Sequence, residues 1–544
     1  MEGCILSVEP QSRRQCLMLK STGLGVLFAI FLASNLLAGP TISVALDRAL
    51  KDPPASGRIV VFLVADDSGL NPKSQPIDGP FWESAQPLFG LDSASCTPDT
   101  PLIIDDHSDA FPSKLSELKP GGYRAQACLI ARRQDSNWKR AAGNLFSEPR
   151  PLTIDPEGNG SVQLVLNQWT HAPERAEVPG VEWFAMPSEL LTTHRHQPTE
   201  NRAGVVFPLE YDPSRRYAAV YRVPGFGGDD RDAARFAKDR AESTGAAREL
   251  AKESFLIVLN PESPNGHTLF VDSANNGPCS RALTEELIPA LEKRFPLIPK
   301  PEARLLVGHS SGGWSTLWLA LTKPGVFGAT WSISPDPVDF RKFQTVNIYD
   351  DENFYVAGSK SGADPVDRPS FRTLDRATGG TREVMTIRRE TRQEDVLGPN
   401  NTSGQQWDSW FAVFGPRDSA GNPAALFDPL TGTIDHSVAE KYRAFDIAAL
   451  VRADPIRYLP LLRNRVRLIV GDTDNFYLNE AVALLKADFG RLLAASPPPA
   501  DAAPQRGYIK IVPKYDHGTI MGSAEVRAFP AEMLEVIRAG YVPN

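Results

Sequence analysis

From Gly204 onward, short uninterrupted apolar runs alternate with stretches of helical composition, and no other feature of the chain constrains its fold as strongly. Val205–Tyr211, Tyr217–Val223, Phe255–Leu259, Arg304–Val307, Val466–Val470 and Tyr508–Val512 read as strands. Helical segments fall at Arg231–Glu242, Cys279–Phe295, after Val307 through Trp318, from about Asn479, and near Ala531–Ala539. Within the second of these, Leu283, Leu287, Leu291 and Phe295 recur along one helical face. A strand that is apolar along its whole length is buried on both sides. That requires a mostly parallel sheet with helices on both faces, an α/β architecture.

The preceding region has a different grammar. Arg58–Val64 is a β-rich apolar run closed by Ala65–Gly69, Tyr123–Leu129 alternates after Gly121-Gly122, and Val162, Leu164 and Leu166 follow a turn at Glu157–Gly160. Short strands without intervening helices predict a small β-sandwich over residues 46–167. Residues 168–203, with Trp169, Trp183, His194 and His196 among prolines and charges, read as a linker. No metal site is expected. His194 and His196 lack a third ligand, and the acids around His107 do not have calcium-loop spacing.

Residues 1–45 read as an export signal. Arg13, Arg14 and Lys20 precede fourteen residues, Leu24–Leu37, in which Ser34 and Asn35 are the polar members. Such a run is short of the roughly 20 residues that span a bilayer, but it suits the apolar core of a signal. Ser43-Val44-Ala45 and Ala38 offer cleavage positions, and Ser12–Leu17 resembles a twin-arginine signal. An uncleaved anchor is the alternative. The expected location is periplasmic or extracellular, with the membrane involved through the signal alone. Three cysteines then remain, Cys96, Cys128 and Cys279, of which Cys96 and Cys128 could pair in an oxidising compartment.

With 58 Lys+Arg against 66 Asp+Glu and no basic run, the chain has nothing to hold a nucleic-acid backbone. Its chemistry concentrates elsewhere. Gly308-His-Ser-Ser-Gly-Gly313 follows the apolar Arg304–Val307 run and opens a helix. Gly-x-Ser-x-Gly in that context is a nucleophile elbow, which makes Ser310 the candidate nucleophile. In such folds an acid and then a histidine follow the serine along the chain. Asp474, in the loop Gly471–Phe476, is the preferred acid and Asp472 the alternative; His517, in Tyr515-Asp-His-Gly518, is the candidate base. The Ser311 amide and an amide of Val223-Pro-Gly-Phe-Gly-Gly228, that of Phe226, would form an oxyanion hole. The Gly-rich stretch lacks the Lys-Ser/Thr of a phosphate loop.

Together these four motifs resemble the esterase branch of the α/β-hydrolases that includes esterase D (S-formylglutathione hydrolase) and the enterochelin esterases. The resemblance covers about 204–335 and 465–540. It implies an α/β-hydrolase catalytic domain over 204–544 and a cofactor-free serine carboxyl-ester hydrolase, with Ser310, Asp474 and His517 at the triad positions. The partner it implies is a small-molecule or polysaccharide-linked ester. Pro224-Gly225 stands where the family usually has His-Gly, and about 120 residues (340–460) intervene before the acid strand. An acyltransferase or peptidase on the same fold, or a non-catalytic binding protein, is the alternative.

The insertion contains Trp407, Trp410, Phe411 and Phe414 on one helical face. Packing on the hydrolase core and a lid over the substrate are both open readings. Trp314, just after the elbow, joins Trp407 and Trp410 as a candidate substrate contact.

Overall fold

The structure is a computed structural model and describes residues 39–81, 84–131, 135–358, 365–375, 377–378, 380–499 and 505–540. Most of the stretch read as an export signal lies outside the described residues.

Eight strands build the C-terminal sheet: β1 Val181–Pro187, β2 Glu200–Val206, β3 Ala218–Val223, β4 Ser254–Leu259, β5 Arg304–His309, β6 Ala329–Ile333, β7 Val466–Gly471 and β8 Tyr508–Val512. They lie in the order β1-β2-β4-β3-β5-β6-β7-β8. Pairing is parallel from β4 across to β8 and antiparallel at β1–β2 and β2–β4, so the sheet is mixed. Both β4 and β7 are buried along their full length, Arg467 of β7 included. Leu283, Leu291 and Leu319 cover one region of the sheet; Phe529 and Met533 of the C-terminal helix cover another.

Three expectations change here. The segment read as a linker supplies β1 and most of β2, so the catalytic sheet begins near Val181. The strand placed at 205–211 is instead β2, ending at Val206; Pro208, with no N–H, cannot extend the ladder. Strand β6 is not visible as an apolar run, because Thr330 and Ser332 interrupt it. All five of its residues are nonetheless buried, and Ser332 Oγ is satisfied by the Gly313 carbonyl at 2.8 Å.

In the N-terminal region nine strands form one continuous hydrogen-bonded sheet, where two separate sheets were expected. The sheet curls until Ile42 and Val44 share a core with Ile59 and Val61, although their strands are not neighbours. Pro40–Leu46 is an interior strand, parallel to Gly160–Trp169 and antiparallel to Leu102–Ile104. The boundary drawn at 45/46 therefore falls inside this strand, which begins at Pro40. Cys96 and Cys128 lie in different core clusters, and both are free. The pairing between them is not formed.

The insertion folds into helices and hairpins, among them the helices Ile387–Leu397 and Gln406–Phe414. Val396 and Leu397 of the first pack on Phe62 and Trp138 of the β-domain. The buried Arg58 donates to the Val396 carbonyl at 2.8 Å and to Asp109 at 2.6 Å. On its other side the insertion shares a core with β7, through Leu468 and Val470.

Candidate active site

Ser310 closes β5 and caps the helix Ser311–Thr322 with φ 60° and ψ −128°, a conformation seldom adopted by a residue with a side chain. Both motif glycines are required by space. A Cβ on Gly308 would stand 2.1 Å from the Gly312 carbonyl oxygen, and one on Gly312 would stand 2.1 Å from that of Val223. The helix start therefore sits directly against the end of β3. Ser310 N–H donates to Ile333 of β6 at 2.9 Å, which anchors the turn from the other side.

The loop after β3 lies beside this turn. A Cβ on Gly225 would meet the Ser310 Cβ at 3.4 Å. Gly228 N–H closes a turn onto the Gly225 carbonyl at 3.0 Å, with Gly227 at φ 77°, where glycine is favoured. As the first helical residue, Ser311 has an N–H with no partner within its helix. Phe226 thus belongs to the loop that lies against Ser310 on one side, and Ser311 to the helix start that follows it. From the β-domain, Arg140 donates to the Gly227 carbonyl at 3.1 Å and pairs with Asp135 and Asp229.

Asp474 and His517 meet on the loops after β7 and β8. His517 Nδ1 donates to Asp474 Oδ2 at 2.8 Å. The acid side chain is sealed from solvent while that of His517 keeps 11% of its exposure, so the ring stays reachable. Burial alone would raise the Asp474 pKa. The charge and hydrogen bond of His517, with backbone N–H groups of Phe476 and Leu478, hold it below the usual value. For His517 burial works toward a lower pKa, but Asp474, with Asp336 and Asp516, lifts it above the ordinary 6.5. Asp472, the alternative acid, instead accepts the Lys514 N–H at 2.8 Å and braces the histidine loop. Among the described residues no hydrogen bond joins Ser310 Oγ to His517.

Four supporting residues carried no sequence signal that distinguished them. His309 donates from Nε2 to the His517 carbonyl at 2.9 Å, and the two rings lie 4.4 Å apart. Burial, with the His517 charge, pushes His309 down to about 3, so it is neutral. Asn475 accepts the His517 N–H at 3.0 Å. Arg372, from a hairpin of the insertion, donates to the Asp474 carbonyl at 2.9 Å. Asp336, just past β6, accepts from Ser311 Oγ and from Trp410 Nε1, each at 2.7 Å. Burial pushes its pKa up to about 6 against those two bonds.

The tryptophans are placed differently from the lid expectation. Trp314 and Trp407 are fully buried and Trp410 is 2% exposed, all within one aromatic core. Trp407 packs on Phe354 and Trp410, and Trp314 donates to the Pro337 carbonyl at 3.1 Å. They are core residues, and an exposed acyl wall made by them is withdrawn. A face that is apolar at helical spacing is fully served by packing on its own domain.

Residues 197–416 match the family model described as "Putative esterase", a stretch that includes the loop after β3 and the elbow and ends inside the insertion. Similar solved structures include a ferulic acid esterase (13% identity, covering 66% of this chain and 98% of that one, TM-score 0.36). Others are an S-formylglutathione hydrolase from Agrobacterium tumefaciens (13%, 67% and 97%, TM-score 0.35) and a fluorophosphonate-binding serine hydrolase from Staphylococcus aureus (12%, 66% and 98%, TM-score 0.33). With a match that spans the nucleophile elbow, residues 197–416 are similar to the esterases of that family.

Proposed function

We propose that the chain is an exported serine esterase working through an acyl-enzyme on Ser310, with His517 as base and Asp474 as its orienting acid. The observation that carries this reading is the 2.8 Å bond from His517 Nδ1 to the sealed Asp474. It leaves Nε2 as the acceptor nitrogen, the tautomer a general base needs. Ser310 Oγ attacks the ester carbonyl carbon and its proton passes to His517 Nε2. The imidazolium then returns a proton to the leaving alkoxide as the C–O bond breaks, and water repeats the sequence to release the acid. Negative charge on the carbonyl oxygen is met by the Phe226 and Ser311 amides, reinforced by the N-terminal end of the helix behind Ser310. Bonds between Ser310 and such a histidine commonly tighten only when substrate arrives. Export rests on the basic and apolar segments before Pro40.

Labelling with a fluorophosphonate followed by peptide mapping tests the assignment. One adduct on Ser310, greatly slowed in His517→Ala, is expected. An unlabelled chain, or an adduct on another serine, would refute it.

A further inference from the structure

Behind the sheet, on the face covered by helices Ala233–Ala241, Gly245–Glu253 and Ala524–Gly540, lies a cavity of about 270 Å³. Its walls are mostly apolar, with Val220, Phe236, Leu250, Val307, Phe529 and Met533 prominent. Two guanidinium groups, those of Arg222 and Arg240, also face it. Neither has a carboxylate within ion-pair distance among the described residues. Arg222 contacts the face of the Phe236 ring at 4.1 Å and has no hydrogen bond there. Arg240 Nη2 donates to the carbonyls of Ala251 and Ser254, at 2.8 and 2.5 Å, while its buried Nε has no acceptor. Of the nearby acids, Asp239, which lines the cavity, and Asp232 pair with the exposed Arg235, and their charges also favour the Arg222 cation from a distance.

Two half-buried cations with no direct ion pair are costly beside an apolar wall. Burial pulls both down to about 10, which still leaves both charged at neutral pH. A structural arginine in such a place is ordinarily paired or turned to water. The lining instead combines an oily compartment with paired positive charge and an unused N–H donor. That is the complement of an amphipathic anion, whose carboxylate accepts from the guanidinium groups and whose tail fills the remainder.

We infer that this cavity is a second ligand site, separate from the ester-hydrolysing centre, and that it takes a free medium-chain fatty carboxylate with its head on Arg222 and Arg240. Two features connect it to the reaction centre. Arg222 stands two residues before Pro224, which begins the oxyanion loop, and Met521 lines the cavity four residues past His517. Occupancy is therefore positioned to influence turnover without entering the catalytic cleft.

Calorimetric titration of the purified protein with decanoate, decanol and decyltrimethylammonium tests the inference. Decanoate should bind at one site per chain, decanol at least tenfold more weakly, and the cation not measurably. Arg222→Met should lower decanoate affinity at least tenfold. Ala247→Phe, at the rim and remote from the catalytic cleft, should do the same by filling the space, and it serves if the arginine variant fails to fold. Absence of decanoate binding, equal binding of decanol, or full affinity in the folded variants overturns the proposal. Undiminished affinity in both variants would place the ligand elsewhere, the catalytic cleft included. Fluorophosphonate labelling of Ser310 reads the esterase assignment separately, so failure of one leaves the other standing.

Discussion

Residues 304–336 and the insertion at 340–460 use the same kinds of side chain to different effect. In the first segment the elbow is shaped by its own sequence and one neighbouring strand: Gly308 against Gly312, Gly312 against Val223, and the Ser310 amide on Ile333. In the second, side-chain hydrogen bonds make long-range contacts. Trp410 donates to Asp336 across 74 positions, and Arg372 reaches Asp474 across 102. A strained turn with close backbone contacts tolerates few residue types, so its motif is readable. An apolar helix face suits any apolar surface, so its partner is not.

The comparison can be broken most directly at the elbow. Ser310→Ala should lower kcat on p-nitrophenyl acetate by roughly 10⁴-fold or more without changing the thermal midpoint appreciably. Retained turnover would mean that the strained serine is not the nucleophile.

The acid loop discriminates two aspartates only two positions apart. Asp474→Asn should cost about 10³- to 10⁴-fold in kcat, because the amide no longer holds the required imidazole tautomer. Asp472→Asn, which alters a bond to the Lys514 backbone, should change kcat by less than about tenfold. Equal losses would put the function of the loop in its backbone and not in one carboxylate.

For the insertion the expected effect is on stability. Trp407→Ala should destabilise the protein by about 3–5 kcal/mol, read by denaturant unfolding, since it empties a fully buried site. The ratio of kcat/KM for bulky and acetyl esters should stay unchanged. A selective loss on bulky esters would restore the lid reading.

The smallest effect lies in pH dependence. His517 must be neutral to accept a proton, so kcat/KM should fall as pH drops through its pKa, which stands above the ordinary 6.5. Asp474 is the principal carboxylate sustaining that rise, with Asp336 and Asp516 adding to it. Asp336→Asn removes one negative charge yet keeps an acceptor for Ser311 and Trp410. It should move the acid limb to lower pH while leaving the plateau within a few fold. An unmoved limb would separate Asp336 from the site electrostatically.

The amino-acid sequence by itself determined the alternation that makes a parallel sheet, the elbow at Ser310 and the order in which an acid and a histidine follow it. These are local signals: apolar periodicity, small residues where backbones touch, and loops at strand ends. The tertiary structure decided what depends on distant partners. Thr330 and Ser332 hide a central strand, and the Ser332 hydroxyl meets its acceptor, the Gly313 carbonyl, only once β6 is inside the sheet. Pro40–Leu46 looked expendable until its neighbours on both sides were in place. That His517 bonds Asp474 while Asp472 holds the Lys514 amide required both loops in space. Trp314, Trp407 and Trp410 became core, and not cleft, when the insertion closed over them. Burial and pairing belong to the assembled sheet, and a residue's own sequence neighbourhood does not contain them.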